Sequence, residues 1–282
     1  MNDEAIIKKL ENQCSFSKKM IEGKCVEISF FDKSNIFEGL IRHHSNKTKI
    51  LKLISKLKNL TVLNLRKCKI NELPTIECPL QYLDLSCNDL KKIPEWIYKL
   101  KKIKYLNLGS NQIDKIKEIP STVEILKIHK NKIKELPELP KKLLVLNLYL
   151  NDMPKLPTLD LPNLEVLSFG VTNMTTLPTL PNKLRWLILV ANKINSLPDE
   201  FCSMKKLEGV YLAKNELTSL PSNIGEMNIK EITLYQNKLK TLPKSFYELN
   251  LNKLNISNNP LEKEERNKLE NKFGNIDFFE FQ

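Results

Sequence analysis

The residue types best suited to covalent or metal chemistry are few and scattered in this sequence of 282 residues. Six cysteines stand at irregular intervals without a C-x-x-C pair, and only three histidines accompany them. Structural zinc sites need such ligands at short, regular spacings. We therefore expect no metal site and reduced cysteines, with a single N-terminal disulfide between the first two as the alternative. The cysteines are Cys14, Cys25, Cys68, Cys78, Cys87 and Cys202.

Sequence motifs for phosphate binding and nucleophilic catalysis are absent. The chain contains no G-x-x-x-x-G-K-[ST] loop, no H-E-x-x-H pair and no G-x-S-x-G turn. His43 and His44 stand in a polar N-terminal stretch that is expected to be solvated, and His129 stands alone. A lone surface histidine is more often part of a binding surface than a catalyst. The sequence therefore predicts no enzyme and no cofactor.

The formal charge of +12 suggests attraction to acidic proteins, nucleic acids or anionic membranes. Only four of the 45 basic residues are arginines, and the rest are lysines. Lysine is less suited than arginine to bidentate contacts with phosphate or bases. A solvated lysine-rich surface is the favoured interpretation, and binding of nucleic acid or an anionic surface is kept as the alternative function.

The chain is expected to be soluble. No stretch reaches the roughly 18 to 20 apolar residues of a membrane span, and the opening MNDEAIIKKLENQCSF lacks the apolar run of a secretory signal. We expect a cytoplasmic protein, or one secreted into a host cell by a route without a Sec signal peptide.

An internal repeat predicts the strands and turns on which the candidate residues lie. From Leu60 onward the pattern L-x-x-L-x-L-x-x-N-x-L recurs ten times, at intervals of 20 to 23 residues, which is typical of leucine-rich repeats. The Asn position of the ten copies falls at Cys68, Asn88, Asn111, Asn131, Asn151, Thr172, Asn192, Asn215, Asn237 and Asn259.

Each position of the repeat has a physical role. The two apolar residues of L-x-L point to one face of a strand, and the residue between them points to the other, because side chains alternate along a strand. The Asn that follows can donate and accept hydrogen bonds where the turn leaves backbone groups unpaired, so stacked copies form a ladder. We expect a weaker ladder at Cys68 and Thr172, with a small shift of the turn at Thr172.

Prolines predict that most return segments are extended. In KELPELPKK, PKLPTLDLPN and TTLPTLPNK, proline disfavours the helical conformation of the residue before it. The longer copies leave room for helical turns in IPEWIYKLKK and LPDEFCSMKK. The expected fold is an α/β solenoid, a leucine-rich repeat arc with a parallel concave β-sheet and convex returns that are extended, polyproline-like or briefly helical.

The expected domain organisation is a capped array. Residues 1–59 form an N-terminal cap, 60–261 form the ten repeats, and 262–282 form a C-terminal cap with a helix over EKEERNKLENKF and the segment IDFFEF packed over the last repeat. The N-terminal helices alternatively dock a partner or direct export. The inward residues of the first helix, the strand and the second helix are predicted to be Ala5, Ile6, Leu10 and Cys14, then Val26, Ile28 and Phe30, then Ile50, Leu53, Ile54 and Leu57.

Outward strand positions locate the expected binding surface. Aromatic and aliphatic residues gather there between the fifth and ninth copies, although folding does not need apolar side chains at these positions. Gly170, Gly209 and Ala213 leave space among them for a pocket, and Trp186 and Tyr211 are the expected anchors. The residues predicted to contact a protein partner are Tyr105, His129, Tyr149, Trp186, Ile188, Val190, Tyr211 and Tyr235.

The LPELP and LPTLP returns within this repeat frame resemble the short-repeat leucine-rich proteins that pathogenic bacteria inject into host cells, the outer protein M and invasion plasmid antigen H families. The resemblance covers roughly residues 60 to 261. The 22- and 23-residue copies also resemble plant and animal intracellular types. The effector resemblance implies a scaffold that captures host proteins, in some members to present them to a ubiquitin-ligase domain.

We expect no ligase domain, because only about 21 residues follow Leu261. The ligase family's C-x-D signature occurs once, at Cys87-Asn88-Asp89, but Asn88 holds a ladder position, so the tripeptide belongs to a structural turn. We expect a monomeric, non-enzymatic scaffold that binds a protein partner on its concave sheet, with an effector role as the finer hypothesis.

Overall fold

The computed structural model describes residues 2–13, 15–30, 44–275 and 278–280. The predicted roles of Cys14 and His43, and those of residues 276, 277, 281 and 282 in the final segment, lie outside the described residues. The chain divides into two compact units, unit 1, Met1–Leu143, and unit 2, Leu144–Gln282. Each unit is a parallel-sheet solenoid.

Unit 1 joins helices and a hairpin to the first four repeats. An antiparallel pair, β1 and β2, opens its sheet, and β2 to β6 then follow one another in parallel, in chain order. The described elements are α1 (Asp3–Glu11), β1 (Ser17–Ile21), β2 (Lys24–Ser29), α2 (His44–Ile54), β3 (Val62–Asn64), β4 (Tyr82–Asp84), α3 (Glu95–Tyr98), β5 (Tyr105–Asn107) and β6 (Ile125–Lys127).

The first hairpin departs from the predicted alternation of Val26, Ile28 and Phe30. Ile28 and Phe30 are buried, but Val26 is only partly buried and Cys25 takes the inward position. The register explains the error, because Lys19 pairs with Glu27 while the next residue of β1 pairs with Cys25. Val26 is therefore the extra residue of a β-bulge, which shifts the alternation of faces by one position.

The two N-terminal helices bury one face each. α1 is capped by Asn2, whose side chain accepts a hydrogen bond of 3.0 Å from the backbone N–H of Ala5. Ala5 and Leu53, both predicted to face inward, are only partly buried. The buried apolar residues of the two helices and the turn that follows are Ile6, Ile7, Leu10, Ile50, Leu51, Ile54 and Leu57.

Unit 2 contains the remaining repeats and the C-terminal helix. Its strands β7 to β13 are parallel and adjacent in chain order. The described elements are β7 (Val145–Asn147), β8 (Val166–Ser168), β9 (Trp186–Ile188), β10 (Gly209–Tyr211), β11 (Glu231–Thr233), β12 (Lys253–Asn255), α4 (Lys263–Phe273) and β13 (Phe278–Glu280).

The return segments follow the proline pattern. The three LPxLP-type returns contain no helix, whereas the two predicted helical turns form as α3 and as a 3-10 helix at Asp199–Ser203. Two further 3-10 helices, Ile224–Glu226 and Lys244–Glu248, occupy the 22-residue copies. This second pair was not predicted from the sequence.

The C-terminal segment contains a helix and then a short strand that continues the sheet. The predicted helix forms as α4, but β13 then pairs in parallel with β12, with Lys253 opposite Phe278. The backbone of Phe278–Glu280 thus continues the ladder of strands next to the last repeat, and the packing of the IDFFEF segment over that repeat stays a prediction.

The predicted asparagine ladder is present. The Nδ2 group of Asn88 donates hydrogen bonds of 2.8 Å to the carbonyl oxygens of Leu65 and Leu85. Its Oδ1 accepts bonds of 3.0 and 2.9 Å from the backbone N–H groups of Cys68 and Ile70. One buried side chain thus satisfies four backbone groups and ties neighbouring repeats together.

The Thr172 copy keeps the turn of the other copies. The Thr172 hydroxyl donates a 2.6 Å bond to Oδ1 of Asn192 and accepts one of 3.2 Å from the Met174 N–H. Val171, immediately before it, has φ +64°, close to the values in the other repeats. The expected shift of the turn is therefore wrong, and the expected local weakening of the ladder stays a prediction.

A left-handed residue precedes every ladder position, and none of these residues is glycine. Their φ angles lie between 53° and 64°. Non-glycine residues adopt this conformation at a cost of about 1 kcal/mol or more, so the hydrogen bonds of the turn must hold it. The residues are Lys67, Cys87, Ser110, Lys130, Leu150, Val171, Ala191, Lys214, Gln236 and Asn258.

Candidate protein-binding surface

The strands of unit 2 turn their leucines inward and their aromatic residues outward, as the repeat predicts. Leu187 and Leu212 are 0% exposed. Trp186, Ile188 and Tyr211 remain partly exposed. The parallel register places Ile188 opposite Tyr211, so these side chains share one face of β9 and β10.

Trp186 lies flat against the backbone of the next strand. Its register partner is Gly209, and a Cβ atom at that position would stand 2.1 Å from Cε3 of the indole. The ring also stacks on Tyr211, with 6.2 Å between centroids and 24° between planes. Glycine leaves the volume that the indole fills, so a side chain here would displace the ring.

Tyr211 is held by a second contact. Its hydroxyl donates a hydrogen bond to the Glu231 carboxylate on β11. Burial and this hydrogen bond to Glu231 raise the pKa of Tyr211, so the phenol stays protonated. The ring is therefore fixed on one side by Trp186 and at its tip by Glu231.

Tyr149, which follows β7, packs in the same way two strands earlier in the unit, over Gly170. A Cβ atom at Gly170 would stand 3.0 Å from two atoms of the Tyr149 ring and 2.1 Å from the carbonyl oxygen of Val190. The predicted pocket at Gly170 and Gly209 is therefore wrong. The space that these glycines leave is filled by Tyr149, Trp186 and backbone.

Tyr235 stands after β11 and is partly exposed. The Nζ of Lys214 lies 6.0 Å from the centre of its ring, within the range of a cation–π contact. Val190 is also partly exposed. The predicted residues of unit 2 thus share an outward face, but direct ring stacking is seen for Trp186 and Tyr211.

In unit 1 the outward aromatic residues form a separate stack. Tyr105 on β5 packs on Tyr82 of β4, with 4.2 Å between ring centroids and 8° between planes. The Nζ of Lys127 lies 5.4 Å from the centre of the Tyr105 ring. Tyr82 was not among the predicted site residues, although it stands one repeat before Tyr105 in the same outward column.

His129 lies over Gly109, where a Cβ atom would come within 2.3 to 2.7 Å of three imidazole atoms. Burial, then the charges of Lys130, Lys127 and Arg66, lower the pKa of His129. The imidazole is therefore neutral at pH 7. Its buried Nδ1 makes no hydrogen bond within the described residues.

The two units differ in charge. Unit 1 carries 29 lysines and arginines against 17 aspartates and glutamates, which accounts for the whole net charge of +12, whereas unit 2 carries 16 of each sign. In unit 2 several of these form exposed ion pairs, such as Arg185 with Glu208 at 2.9 Å and Lys238 with Glu216 at 2.7 Å.

The Cys87-Asn88-Asp89 tripeptide lies in a repeat turn. Cys87 has φ +58°, and Asn88 makes the four ladder bonds described above. In the described part of the chain, no three His, Cys, Asp or Glu side chains group as a metal site, and no helix has the length and apolar character of a membrane span.

Comparison with known proteins identifies the repeat. A family model for leucine-rich repeats in two copies matches residues 80–121. A leucine-rich repeat serine/threonine-protein kinase 1 of Mus musculus is 30% identical over 158 residues, which make up 52% of this chain and 7% of the kinase. The chain thus matches a small part of that protein's length.

Solved structures share the fold. A leucine-rich repeat protein of Leptospira interrogans is 28% identical with a TM-score of 0.58, over 80% of this chain and 74% of that one. YopM, a leucine-rich effector protein from Yersinia pestis, is 24% identical with a TM-score of 0.57, over 72% of this chain and 60% of its own. The YopM likeness concerns the fold alone.

Proposed function

We propose that this chain, which is built of leucine-rich repeats, is a non-enzymatic scaffold that binds a protein partner on the outward face of its parallel strands. Solenoids of this class present long concave surfaces for binding. The observation that carries the proposal is the stacked pair of Trp186 and Tyr211, partly exposed on strands whose leucines are fully buried.

The pair is suited to anchor a partner because it is already ordered. Gly209 supports the indole from below, and Glu231 holds the Tyr211 hydroxyl. A side chain that is fixed before binding loses less conformational entropy on association, by about 0.5 to 1.5 kcal/mol for each side chain. Tryptophan and tyrosine also dominate the binding energy of protein interfaces.

The state of the cysteines favours binding over catalysis. A nucleophilic thiol needs a lowered pKa, but burial raises the pKa of Cys25 to about 11 and that of Cys78 to about 12. Burial likewise raises the pKa of Cys202 to about 11. These thiols stay protonated at pH 7 and act as small apolar side chains of the core.

An effector role is the finer part of the proposal. It is supported by the likeness to YopM in fold and by the LPxLP returns. In this role the chain acts as a monomer of 32.8 kDa in a host cell, or in the cytoplasm of the cell that makes it if it is not exported. Fractionation of infected host cells, with light scattering on the purified chain, tests both points.

The decisive experiment compares partner capture by the wild type and by the double variant Trp186→Ala/Tyr211→Ala. A captured protein is purified and titrated against both. Loss of both anchors should weaken binding by roughly 700-fold or more, since each anchor contributes about 2 kcal/mol or more and about 1.4 kcal/mol is a factor of ten. Tyr98→Ala, which removes a partly buried aromatic ring from α3, is the matched control and should bind as the wild type does.

Two results would overturn the proposal. If the double variant binds with unchanged affinity and its thermal midpoint shows a folded chain, Trp186 and Tyr211 do not anchor the partner. Equal weakening by Tyr98→Ala would show that the loss reflects general destabilisation of the solenoid.

A further inference from the structure

Cationic side chains gather on the outward face of unit 1. His129 follows β6, and its imidazole lies within the electrostatic reach of Lys127, Lys130 and Arg66. Unit 1 also carries the whole net charge of the chain. The outward face next to His129 therefore carries three cationic side chains within a unit that is basic as a whole.

The carboxylate on this face does not cancel the basic surface. Asp84 is only 4% exposed. Its Oδ1 accepts hydrogen bonds of 2.8 Å from the backbone N–H of Ser86 and 2.6 Å from the Ser86 hydroxyl. Its Oδ2 accepts a hydrogen bond of 3.0 Å from Nδ2 of Asn107. Its lone pairs are turned into the protein, whereas Lys130 is exposed and Lys127 partly so.

We infer that the outward face of β4–β6 is a docking surface for an acidic polypeptide segment, whose carboxylates lie against Lys127 and Lys130 beside His129. This inference rests on the proposed function, because it names the chemistry of the partner. It concerns unit 1 alone, whereas the Trp186 and Tyr211 anchors belong to unit 2.

The aromatic stack favours a polypeptide over a nucleic acid. Single-stranded nucleic acids bind by stacking bases on exposed aromatic faces. One face of Tyr105 is covered by Tyr82 at 4.2 Å, and Lys127 lies over the ring at 5.4 Å. Tyr105 therefore has one face covered by Tyr82, and a base on the ring would compete with Lys127, whereas the ammonium group of Lys127 can bind a carboxylate where it lies.

A fluorescein-labelled peptide of ten aspartates is the probe, and fluorescence anisotropy measures its affinity. Aspartate is chosen because its pKa of about 3.9 keeps the probe charged at pH 5.5 and above. Lys127→Glu/Lys130→Glu is compared with Lys101→Glu/Lys102→Glu, which makes the same change in net charge at two exposed residues of a return segment. The first variant should lose at least about tenfold in affinity and the control less than about threefold.

The pH dependence tests the place of His129. Burial and, after it, the nearby cations lower the pKa of His129. Bound carboxylates offset the contribution of the cations, so binding should take up a proton and should tighten several-fold between pH 7.5 and 5.5. Lys127, Lys130, Arg66 and Asp84 are the charged groups that face it. His129→Gln should bind the probe with an affinity that changes little over this range, and its thermal midpoint shows that the chain is folded.

Three results would overturn the inference. Equal losses of affinity in the two double-lysine variants would show that the peptide is attracted by net charge and not by a site. Absence of binding to the wild type would show that the face does not bind acidic segments. Tighter binding of a labelled ten-nucleotide oligothymidylate, weakened by the same lysine changes, would assign the face to nucleic acid.

The proposed function is tested separately from this inference. Trp186→Ala/Tyr211→Ala should bind the aspartate probe as the wild type does. If the wild type does not bind the aspartate peptide while binding of the captured partner still depends on Trp186 and Tyr211, the scaffold function is kept and only the inference of an acidic partner is rejected.

Discussion

Alanine at Gly209 and alanine at Gly170 are expected to have different consequences, although both glycines stand under an aromatic ring. At Gly209 the new methyl group would stand 2.1 Å from Cε3 and 2.3 Å from Cζ3 of Trp186. The indole is at the surface and can swing away by roughly 1.5 Å to reach ordinary contact. At Gly170 the methyl group would stand 2.1 Å from the carbonyl oxygen of Val190, which is backbone.

The expected changes in the free energy of unfolding depend on whether a side chain or the backbone must move. In Gly209→Ala the lost contact of one indole face, about 1 kcal/mol at 25 cal/mol per Å², is offset by the gain of about 0.5 to 1 kcal/mol from removing glycine from a strand. The free energy of unfolding should change by less than about 1 kcal/mol. In Gly170→Ala the Val190 carbonyl also accepts a 3.2 Å bond from the Val171 N–H, so overpacking and a weakened hydrogen bond together cost about 2 to 4 kcal/mol.

Urea unfolding measures both free energies, and the side-chain N–H signals of the two tryptophans in an NMR spectrum report the indole. Gly209→Ala should shift the Trp186 signal and leave that of the buried Trp96 in place. Gly170→Ala should lower the unfolding midpoint. Equal destabilisation by the two substitutions, or an unmoved Trp186 signal in Gly209→Ala, would refute the packing described for these glycines.

Further predictions concern the ladder, the turns and the C-terminal helix. Asn88→Ala should lower the free energy of unfolding by about 3 kcal/mol in urea titration, because the N–H groups of Cys68 and Ile70 and the carbonyl of Leu65 lose their hydrogen-bond partner; a loss below about 1 kcal/mol would contradict the ladder. Val171→Asn should raise the thermal midpoint by a few degrees, since Val171 is β-branched at φ +64° and asparagine tolerates this conformation; a lower midpoint would count against the strain. Tyr247→Phe should destabilise α4 by about 2 kcal/mol because the buried Glu265 loses its hydroxyl donor, and hydrogen exchange in α4 that stays as slow as in the wild type would rule this out.

The strands and the ladder were predictable because they depend on spacing. L-x-L fixes which side chains share a face, and the Asn that follows marks the turn. The bulge at Val26 was not predictable, since an extra residue in one strand is defined only by the register of its partner. The left-handed residues were not predictable either. Residues as different as Leu150 and Lys214 occupy this position, so no residue type indicates the left-handed conformation.

The binding surface was predicted as a set of outward columns, without the contacts inside it. A glycine in the sequence shows where a Cβ is missing, but only the structure shows that the Trp186 ring fills the volume above Gly209. Tyr82 was passed over because aromatic residues are common on both faces of a tightly spaced sheet. The net charge was known as a sum, and its confinement to unit 1 became visible only when the units were defined.

Photo-crosslinking tests the partner contact most directly. Benzoylphenylalanine in place of Ile188, which stands opposite Tyr211 in the register, is compared with the same residue in place of the exposed Lys102. A crosslink to the captured partner from position 188 and none from position 102 is expected. A crosslink from position 102 alone would contradict binding on the outward face of the strands.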